Sequence, residues 1–172
     1  MITLLKVKNI ALIKSANIDF ERGLNVLSGE TGAGKTVLIS AINFALGDKA
    51  NKSLITNGES FCEAELTFNI ENNALTKEVL DEFSIDYDEN LLIIKRKLTV
   101  DGKSTILVNG SNVTLNMLKQ ITFTLCDIYG QSEHYSLLNK SNQLSIKMKS
   151  PTLWLPDTKS QLIGKDPDAG ED

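Results

Sequence analysis

The sequence is short of several residue types, and each shortage narrows what the chain can be. Only two cysteines occur, Cys62 and Cys126. Their separation fits neither a metal-ligand spacing nor a disulfide framework. Both sit in apolar runs, which predicts buried free thiols. No apolar run approaches the roughly 20 residues needed to cross a bilayer. The opening Met1-Ile-Thr-Leu-Leu-Lys6 lacks the charged start, long apolar stretch and small-residue cleavage site of a signal peptide. A cytoplasmic location without a membrane partner is therefore expected. Net charge is −4 and the pI is near 5.1, which excludes a chain that is basic throughout and wraps nucleic acid by charge alone. Arginine occurs only at Arg22 and Arg96. The one concentrated basic run, Lys95-Arg96-Lys97, reads as a solvated strand end. Proline is missing until Pro151; Pro151, Pro156, Pro167 and the sole tryptophan, Trp154, all fall within residues 147–172. Proline removes backbone donors and bars helix continuation, so this acidic end is expected to be poorly ordered. A partner-binding peptide anchored by Trp154 is the alternative. At 172 residues and 41% hydrophobic content the chain allows one domain with a real core plus a tail. We divide it at residues 1–146 and 147–172.

What is present is a phosphate-binding loop. Gly29, Glu30, Thr31, Gly32, Ala33, Gly34, Lys35 and Thr36 complete the pattern G-x-x-x-x-G-K-[ST]. An apolar run, Leu24 to Leu27, precedes it as a buried strand would. A helical pattern from Lys35 to Leu46 follows and stops at Gly47. This strand, glycine loop and helix order gives the motif a mechanism. Glycines let successive N–H groups curl toward phosphate oxygens, and the helix N-terminus adds unpaired N–H groups and its positive dipole end. Lys35 is then placed to reach the β- and γ-phosphates of ATP, and the Thr36 hydroxyl to ligate Mg²⁺.

Around the loop the pattern is mostly strand and turn. Leu4 to Ile10, Ala16 to Phe20 and Phe61 to Ile70 alternate as half-buried strands do. Leu75 to Phe83 has helical spacing. Leu91 to Val100 and Thr105 to Val108 flank Asp101-Gly102, a tight two-residue hairpin signal. Asn109-Gly110 makes a second turn, and Thr114 caps a short helix to about Ile121. Phe123 to Tyr129 reads as a strand that delivers Gly130-Gln131. Together these predict an α/β fold of the P-loop NTPase kind, with a mixed sheet around one P-loop helix. His134, the only histidine, stands beside a loop and is read as a surface or packing residue. Asp127 is read as structural.

Gly23 to Thr36 and Asp127-Ile-Tyr-Gly-Gln-Ser-Glu-His134 together resemble the bacterial RecN family, DNA-repair ATPases related to the structural-maintenance-of-chromosomes (SMC) proteins. Leu4 to Phe20, with its Ala11-Leu-Ile13 turn, is similar to that family's opening strands. The resemblance covers residues 1–146. It implies the N-terminal ATP-binding lobe of an ABC/SMC-type ATPase head. By resemblance Gln131 matches the Q-loop glutamine, which reaches Mg²⁺ and positions the attacking water, so Lys35 and Gln131 are the candidate catalytic residues. It also implies DNA and a second ATPase head as partners of the whole protein. Two departures stand out. Family members carry arginines soon after the P-loop helix, where this chain has Lys49 and Thr56. The family pattern also stops near Ile146, before the coiled coil, signature motif and Walker B pair. Nucleotide contact without efficient turnover is the expectation for these residues. A transporter ATPase subunit and a non-catalytic interaction module are the alternative readings.

Overall fold

The computed structural model describes residues 1–27 and 33–125, with the side chain of Ala33 set aside; these lie in one unit, Met1–Asp127. Six strands form one sheet: β1 (Ile2–Ile10), β2 (Ile13–Asp19), β3 (Phe61–Asn69), β4 (Leu91–Thr99), β5 (Ser104–Val108) and β6 (Ser111–Asn112). Their order is β2-β1-β3-β4-β5-β6. Every pairing among the described residues is antiparallel. The expected mixed sheet is thus antiparallel here, because hairpins join β1 to β2, β4 to β5 and β5 to β6, and a hairpin can only reverse direction.

Alternation along β3 and β4 separates two faces. Cys62, Ala64, Leu66 and Phe68 of β3 are buried with Leu92, Ile94 and Leu98 of β4. Three helices cover that face: α1 (Ala33–Leu46), α2 (Ala74–Glu82) and α3 (Leu115–Phe123). Helix α1 lies against β1, β3 and β4, while α3 touches α1, α2 and β5. Phe44, Leu80, Leu118 and Ile121 from the helices close the core. The other face carries Lys6, Glu63, Glu65, Lys95 and Lys97. Lys95 bridges Glu65 at 2.8 Å and Glu63 at 3.6 Å, and Lys6 reaches Glu65 at 3.0 Å. One covered face and one charged face is the usual antiparallel arrangement.

Local signals explain the helix and turn boundaries. Asn73 accepts a hydrogen bond from the Thr76 N–H at 3.1 Å, and Thr114 accepts from Met117 at 3.3 Å, as N-caps do. The β4–β5 hairpin differs from the two-residue turn its Asp-Gly pair predicts. Thr99 N–H bonds to the Lys103 carbonyl and Gly102 N–H to that of Thr99, so the loop is Val100-Asp101-Gly102. Only Gly102, at φ +88°, takes the left-handed conformation there. This is the three-residue hairpin in which a type I turn is followed by a glycine bulge. Asn109 and Gly110, at φ +46° and +83°, form the tight β5–β6 turn as expected. Phe123, read as the start of a strand, instead ends α3, with Thr124 N–H bonded back to the Ile121 carbonyl. Residues 126–129 of that predicted strand, including Cys126 and Asp127, and the boundary at residue 146 lie outside the described residues. Cys62 is a buried free thiol, as its apolar run predicts.

Candidate nucleotide-binding site

Helix α1 begins at Ala33, inside the phosphate-binding motif, so its first turn carries Gly34, Lys35 and Thr36. Lys35 is partly exposed, while Gly34 and Thr36 are exposed. Among the described residues, a Cβ placed on Gly34 meets no atom within 4 Å. No acidic residue sits in the first turn. The first four N–H groups of a helix lack intrahelical partners. A polyphosphate therefore finds donors, a cation and a hydroxyl together, with no carboxylate in that turn to repel it. Gly29, Glu30, Thr31 and Gly32 lie outside the described residues, as do Gln131 and His134. The geometry between Gln131 and Thr36 is therefore not among the features described. Among the described residues no cluster of His, Cys, Asp or Glu is gathered to hold a metal.

The segment before the loop departs from expectation. Leu24 to Leu27 is not part of the sheet, and Leu24 and Val26 are 91% and 73% exposed. The reason is local competition. The Asn25 side chain accepts from the Glu21 N–H at 3.1 Å and donates to the Glu21 carbonyl at 2.9 Å. Such bonds hold the backbone in a turn. An apolar run becomes a strand only where a neighbour supplies ladder partners and cover, and no described strand lies alongside it.

The far end of α1 is held more tightly than its sequence suggests. Gly47, at φ +115°, stops the helix; its N–H bonds to the Phe44 carbonyl at 3.3 Å and that of Asp48 to the Asn43 carbonyl at 3.0 Å. This pair of bonds is a Schellman cap. Thr122 of α3 donates to the Leu46 carbonyl at 3.0 Å. Arg96 of β4, only 2% exposed, sends Nη1 to the carbonyls of Phe44 at 2.7 Å and Asp48 at 2.6 Å. Its guanidinium sits 4.6 Å from the Phe44 ring centroid, and Nε donates to Ser104 Oγ at 3.3 Å. Burial pulls the Arg96 pKa below its usual range, opposed by nearby Asp48 and Cys62. An arginine nevertheless stays charged in a protein, and the negative end of the helix dipole receives that charge.

The basic run is therefore no solvated strand end. It lies within β4, where alternation sends Arg96 to the helix side and Lys95 and Lys97 to the open side. Lys97 stands 4.1 Å over the Phe61 ring, and Lys95 joins the Glu63 and Glu65 pairs described above. Arg96 was missed as a site-related residue because composition treats the three cations alike. The strand's period of two was the available signal: Arg96 shares parity with Leu92, Ile94 and Leu98.

A family model described as an AAA domain matches residues 4–161. The DNA repair protein RecN of Halalkalibacterium halodurans is 37% identical over 146 residues, which are 85% of this chain and 26% of that protein. RecN of Bacillus subtilis is 36% identical over 146 residues, 85% of this chain and 25% of that protein. Among solved structures, an Smc head domain with a coiled coil and joint from Pyrococcus yayanosii superimposes with a TM-score of 0.62 at 23% identity, covering 87% of this chain and 30% of that one. The chain thus spans about a quarter of the length of the curated relatives it matches.

Proposed function

Because the chain belongs to the RecN family of DNA repair proteins, we propose that it forms the nucleotide-binding lobe of an ATPase acting in DNA double-strand break repair and recombination. The observation that carries this reading is the first turn of α1, which holds Gly34, Lys35 and Thr36 and no acidic residue. ATP held there has its phosphates at the loop and helix amides, with Lys35 as a point charge on the β- and γ-oxygens. The Thr36 hydroxyl takes a place in the coordination of Mg²⁺, which supplies neutralisation of the developing phosphate charge when bound. Gln131, assigned by the likeness of its segment, would help to hold that Mg²⁺ and orient the attacking water. Phosphoryl transfer depends mostly on positioning and charge stabilisation, so the protein's part is to hold these groups in place. DNA and a second ATPase head are the partners this reading gives the whole protein. A transporter subunit is the weaker reading, because the curated relatives are DNA repair proteins.

The test is titration of Mg-ATP into the 172-residue chain and its Lys35→Ala variant. A charge-assisted contact is worth about 1.5–3 kcal/mol, so the variant should bind about ten- to a hundredfold more weakly. Equal affinity in the two proteins, or none in either, refutes the assignment and leaves a non-catalytic interaction module as the better account.

A further inference from the structure

We propose that Arg96 is a positioning residue for the phosphate-binding end of α1: by tying the last turn of α1 to β4, it fixes where the first turn presents Lys35 and Thr36. This rests on the reading of that first turn as the nucleotide site.

The argument starts from how α1 meets the sheet. The buried residues of its second half are Ala41, Phe44, Ala45 and Leu46. Two alanines allow close approach but interlock little, and dispersion contacts are non-directional. Partly buried Val37, Leu38 and Ile42 complete this apolar face of α1, but none of these contacts engages a specific carbonyl. Hydrogen bonds to specific carbonyls do resist sliding. Arg96 supplies two from Nη1, to Phe44 and Asp48, and stacks on the Phe44 ring, so one side chain holds both the backbone and the core side chain of the same turn. The Ser104 hydroxyl braces the guanidinium from β5.

A helix transmits this constraint along its axis. At about 1.5 Å per residue, Phe44 stands on the order of 13 Å from Lys35, and the continuous hydrogen-bond ladder between them makes the segment move as a rod. Displacement at the anchored end therefore appears at the phosphate-binding end. Nη1 reaches both carbonyls while Nε reaches Ser104 and the plane stacks on Phe44, a combination that a lysine ammonium, without a plane or a second nitrogen, cannot reproduce in full. Strand alternation places Lys95 and Lys97 on the opposite face, so neither can replace it.

The experiment compares the 172-residue chain with Arg96→Lys, Arg96→Met and Asn109→Ala. The last removes the bonds that the β5–β6 turn makes to Ile93 and Asp86, none of which involves α1, and serves as a control for destabilisation. Mg-ATP affinity is measured at a temperature where urea melts show each protein folded, and amide hydrogen exchange is followed at residues 37–39 of α1. We expect Arg96→Met to weaken Mg-ATP by about tenfold and to speed exchange at 37–39. Arg96→Lys should fall between it and wild type, and Asn109→Ala should change neither readout. Should Arg96→Met fail to fold, Arg96→Lys carries the comparison. Arg96 variants that match Asn109→Ala in affinity and in exchange overturn the proposal. A wild-type chain that binds no Mg-ATP refutes the nucleotide reading instead, and exchange at 37–39 then decides the anchoring role by itself.

Discussion

Replacing Gly47 by alanine tests the end of the P-loop helix directly. Gly47 has φ +115°, and a left-handed backbone costs a non-glycine residue about 1–2 kcal/mol. Its φ lies beyond the usual left-handed centre near about +57°, which favours the upper part of that range. A Cβ there meets Lys119 Cγ at 3.3 Å and Leu118 Cδ2 at 3.5 Å. The Lys119 methylene must give by a few tenths of an ångström, whereas Leu118 is met at an ordinary van der Waals distance. Alanine also stiffens the unfolded chain, which returns about 0.4–1 kcal/mol. The net loss is about 0.5–1.5 kcal/mol, or a drop in Tm of about 1–6 °C at this size. Gly58, at φ +86° with no atom within 4 Å of a built Cβ, gives the matching control, since Gly58→Ala carries backbone strain without contact. Urea unfolding followed by circular dichroism should show both midpoints lowered at constant slope, with Gly47→Ala the lower. A Gly47→Ala protein as stable as wild type would refute the capping geometry. Equal losses in the two variants would show that packing of the cap against α3 contributes nothing.

Two other predictions concern the sheet. Burial alone would raise the Glu65 pKa, but hydrogen bonds and charge from Lys95 and Lys6 outweigh it and hold the carboxyl below its ordinary 4.5. A depressed native pKa stabilises the fold above that ordinary value and loses the contribution as pH falls through the native one. Glu65→Gln should therefore cost about 0.2–1 kcal/mol at neutral pH and nothing in strong acid. Parallel losses at both pH values in urea melts would contradict this. Asn109 accepts from the Ile93 N–H at 2.7 Å and donates to the Asp86 carbonyl at 2.8 Å while holding φ +46°. Asn109→Ala should lose about 1.5–3 kcal/mol; Asn109→Gly, which keeps the left-handed freedom, should lose less, and the reverse order would argue against a strained turn.

Periodic and capping signals carried far into the structure because their physics is local. The strands β1, β3 and β4, the helices α2 and α3, the Gly47 stop and the Asn109-Gly110 turn all follow from side-chain alternation, helical spacing or a required φ angle. Lys35 and Thr36 fall in the first turn of α1, where the motif's glycine loop and helix order expects a helix to start. The failures share a different cause. Leu24 to Leu27 has the composition of a buried strand, yet strand formation needs a neighbour's ladder, and Asn25 secures a turn instead. Phe123 looked like a strand start because apolar residues at a helix end and at a strand start are alike until the fold selects one. The choice between a two-residue and a three-residue loop at Asp101-Gly102 depended on the register of β4 against β5.

The sequence by itself determined the motif, the alternation of the long strands and the identity of the helix stops. Membership of the RecN family was also readable in it, because two separated segments matched together. Only the tertiary structure decided what Arg96 does. Its neighbours Lys95 and Lys97 carry the same charge, but strand parity points it at the end of α1, and burial among the Phe44 ring and two carbonyls converts a nominal surface cation into an anchor. The physical reason is that a charge has no fixed role in a sequence: its worth depends on the dielectric and the partners around it, and those come from elements far apart along the chain.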